Sequence, residues 1–286
     1  MGYDYIHEAD FAGFIFSYLK EHKADLRRET WYSYKSQLSK IQRFKNPLLF
    51  SDINEKFITD YHSYMLNVLK NNENTASKSL RVLRTFVNIA MRFGYIKTNP
   101  FQYVNIKKVD GKRDFLSLEE LNRLNKYYQE CRYANIKMEV LQYFLFACHT
   151  GLRYSDIKAL SLNNLQGDYL VIKMHKTNYT VSIPLTQKSK SFLPKNSKGD
   201  RIFKIYCNKV TNRVLKQIAK EVGITKNITF HVARHTFATT SISLGIPMEV
   251  VSKLLGHTNI RTTQVYAKIV DNVKLREMQK WDCLVI

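Results

Sequence analysis

The sequence predicts a mainly α protein in two parts, with a small antiparallel β-sheet confined to the second part. Apolar residues recur at helical spacing through the first hundred residues. A polar, basic stretch without periodicity follows Asn99-Pro100. After Gly167 the apolar spacing changes to two, which is typical of strands. We therefore predict a helical domain at 1–107, a linker at 108–114 and a second, mostly helical domain at 115–286.

Four helices are predicted in the first domain, each with one apolar face. The fourth also carries Lys78, Arg81 and Arg84 at spacings of three, opposite its apolar face. This basic stripe fits a helix laid on a phosphate backbone, and it also fits an ordinary solvated face. The four apolar faces consist of Phe11, Phe14, Ile15, Tyr18 and Leu19; of Trp31, Tyr34, Leu38 and Ile41; of Phe57, Ile58, Tyr61, Met65 and Val68; and of Leu80, Leu83, Val87 and Ala90.

In the second domain, Ser117 and Glu120 have the spacing of a capping box, so a helix begins there. A mostly buried helix follows at Met138–Cys148, and a β-hairpin is predicted from Tyr169–Met174 and Tyr179–Pro184 around a turn at 175–178. The remaining predicted elements are a helix from Asn208 to near Gly223, a helix bearing His231 and Arg234, a short helix from Pro247 to Gly256, and a last short helix bearing Tyr266.

The charge balance indicates a polyanionic partner. The chain of 286 residues has 45 Lys and Arg against 24 Asp and Glu, a net charge of +21. Both parts share the excess, since residues 1–110 carry 17 basic and 11 acidic residues and the remainder carries 28 and 13. Duplex DNA fits this charge better than a membrane, because no basic segment has one clean apolar face and no apolar run is long enough to span a bilayer.

The cysteines are scattered, with no metal-ligand spacing, and are predicted to be reduced thiols of a cytoplasmic protein. The acidic start of the chain differs from a secretory signal peptide. No cofactor and no metal site is predicted. The four cysteines are Cys131, Cys148, Cys207 and Cys283.

Arg153 lies in T-G-L-R-Y-S-D, at a turn where Gly151 permits a sharp bend and Ser155-Asp156 can open a helix. A helix N-terminus is a favourable place to hold an oxyanion. Arg153 could instead form only a local bridge with Asp156. The two interpretations are compatible, because an acid behind a catalytic arginine orients it.

Lys176 is expected at the tip of the predicted hairpin, where a lysine is either mobile and functional or only solvated. Downstream, His231 and Arg234 are three apart on one helix, and His257 follows Gly256. Arginines can fork onto phosphate oxygens, histidines can move protons, and a tyrosine such as Tyr266 can form a covalent phosphate ester. Without a carboxylate cluster for two-metal chemistry, the arginines would take the place of the metals.

This ordered set resembles the tyrosine recombinases, also called the phage integrase family. The matching motifs are T-G-L-R around Arg153, K-T at Lys176, H-V-A-R-H at His231 and Arg234, L-G-H at His257, and Y-A-K at Tyr266. The resemblance covers nearly the whole chain, since residues 1–107 are similar to the family's core-binding domain. Asp156 is a conservative departure, because the family most often has Glu there.

The resemblance implies a site-specific DNA recombinase that works without metal or ATP. Tyr266 is implied to attack a scissile phosphate and leave a 3′-phosphotyrosine, with Arg153 and Arg234 holding the phosphate and Lys176 protonating the leaving 5′-oxygen. His231 is implied to assist proton transfer with Tyr266, and His257 to hydrogen-bond the phosphate, with Asp156 in support. The implied partners are double-stranded DNA, a homotetramer on two DNA sites and accessory DNA-bending proteins. The apolar tail after Tyr266 (Val273, Leu275, Met278, Trp281 and Leu284) is expected to dock on a neighbouring subunit or on its own domain.

Alternatives remain at this point. A type IB topoisomerase uses similar tyrosine chemistry without pairing two sites, and a catalytically silent, sequence-specific DNA-binding protein would keep the fold without the reaction. Binding driven by charge alone would depend strongly on salt and little on sequence. The chain resembles an integrase without an arm-binding domain, which fits an invertase or resolvase and equally a fragment of a longer integrase.

Overall fold

The computed structural model describes residues 10–107, 109, 111, 113–130, 135–194 and 200–267. The chain divides into two compact units, 1–111 and 112–286. The boundary falls inside the stretch predicted as linker, of which residues 108, 110 and 112 lie outside the described residues, as does the apolar tail from Lys268 onward. The functional division into a DNA-binding and a catalytic domain stays a prediction.

The first unit contains four helices, at Phe11–Glu21 (α1), Arg28–Phe44 (α2), Glu55–Asn67 (α3) and Glu73–Arg92 (α4). Three of them begin at a side chain that accepts a hydrogen bond from the first turn: Asp10, Asn54 and Asn72. The predicted apolar faces meet in one core rich in aromatic rings, and Trp31 joins two helices by donating from its indole nitrogen to the Leu19 carbonyl at 2.9 Å.

Val68 was predicted to continue the buried face of α3, and this was wrong. The helix ends at Asn67, and Val68 stands at its C-terminal cap with 64 % of its surface exposed. The apolar period continues past the point at which the backbone leaves the helix, so spacing alone overextended the element.

The second unit is built around a helix at Ile136–Thr150 (α6), which is buried on nearly every side. Before it, Leu118–Glu130 (α5) starts at the predicted capping box, in which the Ser117 and Glu120 backbone N–H groups each donate to the other's side chain, at 2.7 and 3.1 Å. The later helices are Tyr154–Ala159 (α7), Gln187–Lys190 (α8), Asn208–Glu221 (α9), Phe230–Ser243 (α10), Met248–Leu254 (α11) and Arg261–Ala267 (α12).

The sheet of the second unit has three antiparallel strands in the order β1-β2-β3: Leu165–Gln166 (β1), Tyr169–Lys173 (β2) and Thr180–Pro184 (β3). Leu170 pairs with Ile183 and Ile172 with Val181, and these four side chains form the buried face. The fold class predicted from the sequence is thus confirmed, with the two-residue strand β1 added. Within the described residues, every helix is too short or too polar to cross a membrane.

Candidate active site

Arg234 lies on α10 and is 2 % exposed, so it is a structural part of the core and far from the solvated charge that a basic chain would suggest. Its guanidinium donates to the Gly151 carbonyl at 2.8 Å and to the Leu255 carbonyl at 2.6 Å. These are the C-terminal cap residues of α6 and α11, where helix carbonyls lack partners within the helix. Burial and the Arg153 charge lower the pKa of Arg234 to about 9, which leaves it positive at neutral pH.

The turn at Gly151 brings Arg153 to Arg234. Gly151 has φ +70°, and a Cβ there would meet the Phe237 ring at 2.6 Å and the Leu255 side chain at 2.8 Å. Only glycine fits both the left-handed backbone and the close approach of α10. The turn places Arg153 at the N-terminal cap of α7, where its Nη1 is buried without a hydrogen-bond partner among the described residues. A buried donor of this kind has a strong preference for an anion.

Asp156 fixes the elements on either side of Arg153. Its carboxylate is fully buried, accepts from the Arg153 backbone N–H at 3.3 Å and lies 3.8 Å from the Arg153 guanidinium. Its other oxygen accepts from the His175 backbone N–H at 2.9 Å. The acid predicted to support the arginine therefore also holds the base of the β2–β3 hairpin.

Lys176 lies in the exposed turn of that hairpin, as predicted. It is close enough to the site for its charge to lower the pKa of His231. The strands beside it are held against the turn before His257, because a Cβ on Gly256 would meet Val181 at 3.0 Å and Met174 at 3.2 Å. The fold thus brings the lysine to the same site as the arginines.

His231 and His257 are both present at the site. His231 is exposed as a whole residue, but desolvation of its ring and then the charges of Arg234 and Arg153 lower its pKa to about 4. His257 is half-buried, and its Nδ1 lies 2.8 Å from the Thr263 hydroxyl. Burial, Arg234 and Arg153 lower the pKa of His257 to about 3. Both imidazoles are therefore neutral at pH 7.

Tyr266, the predicted nucleophile, is 3 % exposed and packs in a small apolar cluster formed by α10, α11 and α12. Burial raises the pKa of its phenol, while Arg234 and Arg113 act in the opposite direction. Its hydroxyl lies 2.9 Å from the Nδ1 of His235. The Arg113 guanidinium hydrogen-bonds Tyr266 and lies 5.9 Å from the centre of its ring.

His235 and Arg113 were missed as site residues by the sequence reasoning. His235 had a detectable signal, since it stands directly after Arg234 and four residues after His231, one helical turn along the same face. Arg113 had none, because it falls in the stretch assigned to the linker and reaches Tyr266 only through the tertiary fold.

All six predicted catalytic positions thus lie in the second unit around α10, linked by direct hydrogen bonds or by the mutual influence of their charges. Among the described residues no group of three or more His, Cys, Asp or Glu side chains could hold a metal ion. In the first unit, Lys78, Arg81 and Arg84 are exposed on α4, opposite its buried face, as the spacing predicted. Their contact with DNA stays a prediction.

Two family models match the chain. The phage integrase family model covers residues 114–272, and the phage integrase SAM-like domain model covers residues 10–109. The chain is 29 % identical to a tyrosine recombinase XerC of Staphylococcus epidermidis over 92 % of its own length and 94 % of the relative's. It is 27 % identical to a tyrosine recombinase of Thermosipho africanus, covering 92 % of each chain. Its fold is similar to that of a lambda integrase tetramer bound to a Holliday junction, with a TM-score of 0.72, 20 % identity and coverage of 88 % of this chain and 76 % of the other.

Proposed function

The chain belongs to the phage integrase family, and from this premise we propose the chemical roles of its site residues in a site-specific DNA recombinase, an enzyme that cuts and rejoins DNA strands. The observation that carries the proposal is the placement of a buried tyrosine hydroxyl beside two arginines and three neutral histidines. Such a site can bind a phosphodiester and supply a nucleophile to it. The proposed nucleophile is Tyr266.

Arg153 and Arg234 hold the scissile phosphate in this proposal. A phosphodiester gains negative charge on its non-bridging oxygens in the transition state, and guanidinium groups fixed in place stabilise that charge without reorganising. Arg153 has a buried Nη1 that still lacks a partner among the described residues. Arg234 is already fixed by two carbonyls, so its remaining donor capacity is aimed by the fold. His257 adds a hydrogen bond to the phosphate, and Asp156 keeps Arg153 in position.

Lys176 is proposed as the acid that protonates the leaving 5′-oxygen. A lysine on an exposed hairpin turn can follow the DNA strand, while Asp156 anchors the base of that hairpin. The reaction forms a bond between the Tyr266 oxygen and phosphorus and breaks the bond from phosphorus to the 5′-oxygen. The ester conserves the bond energy, so a 5′-hydroxyl of another strand can reverse the reaction.

Double-stranded DNA is the partner of this enzyme. We further propose that four copies act on two DNA sites, as in the solved lambda integrase tetramer on a Holliday junction. Residues 1–107 are proposed to bind DNA through the stripe on α4, and 115–286 to carry the chemistry. Accessory DNA-bending proteins and a cytoplasmic location complete the proposal.

The test of the proposed function is the formation of a covalent protein–DNA adduct. Nicked duplexes carrying a presumed crossover site are incubated with the wild-type protein and with Tyr266→Phe, with a chelator present, and adducts are detected after denaturation. An adduct with the wild-type protein alone is the expected result. Tight, specific binding without an adduct would support the catalytically silent DNA-binding protein instead.

A further inference from the structure

The hydroxyl of Tyr266 has a histidine partner, and that partner is His235. The distance from its Nδ1 to the hydroxyl oxygen is 2.9 Å. His231, to which the family resemblance assigns proton transfer with the tyrosine, instead packs edge-on against His235, with 4.4 Å between the ring centres. The two histidines are therefore arranged in series, with His235 next to the nucleophile.

The direction of the hydrogen bond follows from the other partner of the hydroxyl. Arg113 hydrogen-bonds Tyr266, and a guanidinium can only donate. The phenol oxygen therefore accepts from Arg113, and its own proton is left to be donated to the Nδ1 of His235. This requires the His235 tautomer that carries its proton on Nε2 and leaves the Nδ1 lone pair free.

The surroundings of His235 keep this acceptor available. The ring is half-buried between α10 and α12, and burial, followed by His231 and Arg113, lowers its pKa to about 4. The ring is thus neutral at pH 7. Arg113 also stabilises the phenolate that forms when the proton leaves, because a positive charge beside an anion favours the ionised state.

We propose that His235 is the catalytic group that accepts the Tyr266 proton during strand cleavage and returns it during rejoining. This inference rests on the proposed function, since it names a role within the same reaction. As the phenol oxygen attacks phosphorus, its proton passes to Nδ1 of His235, and the 5′-oxygen departs with a proton from Lys176. When a 5′-hydroxyl attacks the phosphotyrosine, its proton is taken up by Lys176, and the departing Tyr266 oxygen recovers its proton from His235. The protons and bonds balance without a further reactant.

The first experiment measures the rate of adduct formation by His235→Ala on a nicked substrate. Loss of a general base slows a proton transfer by about 100-fold or more, and we expect that reduction. His235→Gln separates chemistry from positioning, because its amide can hold the hydroxyl by a hydrogen bond but cannot accept its proton. We expect His235→Gln to be as slow as His235→Ala, with DNA binding and thermal unfolding close to those of the wild-type protein.

The second experiment distinguishes the attacking proton from the leaving proton. A substrate with sulfur in place of the bridging 5′-oxygen has a leaving group that needs no proton, since thiols ionise near neutral pH. This substrate is expected to restore cleavage by Lys176→Ala and to leave His235→Ala as slow as before.

Three outcomes overturn the inference while leaving the proposed function intact. These are wild-type rates for His235→Ala, recovery by His235→Gln, and faster adduct formation by His235→Ala, which would show that the bond restrains the tyrosine. Absence of any adduct with the wild-type protein is the separate result that contradicts the proposed function itself.

Discussion

At the scale of single residues, Arg234 combines a role in the proposed chemistry with a role in stability. A neutral side chain of similar length at this position, as in Arg234→Met, leaves the buried carbonyls of Gly151 and Leu255 without donors. We expect a loss of about 1–3 kcal/mol in the free energy of unfolding for each unpaired carbonyl, together with loss of adduct formation. Chemical denaturation measures the first quantity.

The matched control for Arg234→Met is Tyr266→Phe. This variant removes only a hydroxyl and keeps the ring in the apolar cluster of α10, α11 and α12. Both variants are expected to be inactive, and only the arginine variant to be markedly less stable. Equal stability of the two would contradict the structural role of Arg234.

Arg234 also controls the titration of the histidines around it. Its positive charge is among the causes that lower the pKa of His231 and of His257. In Arg234→Met both pKa values are therefore expected to rise towards the ordinary value near 6.5. Titration of the imidazole protons by nuclear magnetic resonance checks this prediction, and unchanged values would mean that desolvation alone sets them.

The three histidines of the site make stability depend on pH. In the folded state the pKa values of His231, His235 and His257 lie at about 4, 4 and 3, while in the unfolded chain they return to about 6.5. Between these values the unfolded state binds more protons, so the free energy of unfolding falls as the pH is lowered below about 6.5.

Thermal melts of the full chain at pH 7, 6 and 5 measure this slope. We expect the melting temperature to fall over this interval, and to fall less in a variant with glutamine at all three positions. An equal slope in the two proteins would sink the idea that these histidines are the cause.

At the scale of elements, the apolar periods predicted most helices, because a helix that buries one face must repeat its apolar residues at that spacing. The method failed where packing decides. Strand β1, with two residues, is too short to show alternation, and the end of α3 before Val68 left no local signal. At the site, the six motif residues were identified by type and order, whereas Arg113 reaches Tyr266 only through the tertiary fold.

The turn between α6 and α7 gives a prediction with a built-in control. Gly151→Ala combines a left-handed backbone with a clash against Phe237 and Leu255, and we expect it to cost about 2–5 kcal/mol of unfolding free energy. Gly167→Ala has a similar φ of +57° with open space around it, so about 1 kcal/mol is expected. Chemical denaturation of the two variants compares crowding with backbone strain alone.

The β2–β3 hairpin is predicted to depend on Asp156. In Asp156→Asn one amide N–H must face the backbone N–H of Arg153 or of His175, so one buried hydrogen bond is lost. We expect a cost of about 1–3 kcal/mol and cleavage slowed by about 10-fold, because Lys176 loses its anchored base. Hydrogen exchange at the His175 amide should accelerate, and an unchanged exchange rate there would contradict the anchoring.

At the scale of the whole molecule, the net charge of +21 implies binding that weakens steeply with salt. Alanine at Lys78, Arg81 and Arg84 is expected to lower the slope of log affinity against log salt by about 3, about 0.9 for each phosphate contact. Titrations at several salt concentrations provide the slope. The control is alanine at Lys20, Lys56 and Lys97, three exposed residues elsewhere in the first unit that remove the same charge. An equal loss with both sets would show that binding reads only total charge.

The seat of Arg234 on the caps of two helices also has a consequence for how such genes decay. A copy that drifts without selection for recombination can lose Tyr266 to phenylalanine and still produce a folded protein. Loss of Arg234 removes the donor shared by the ends of α6 and α11, so the product of that copy is exposed to proteolysis. Among silent descendants that persist as DNA-binding proteins, we therefore expect the arginine to outlast the tyrosine.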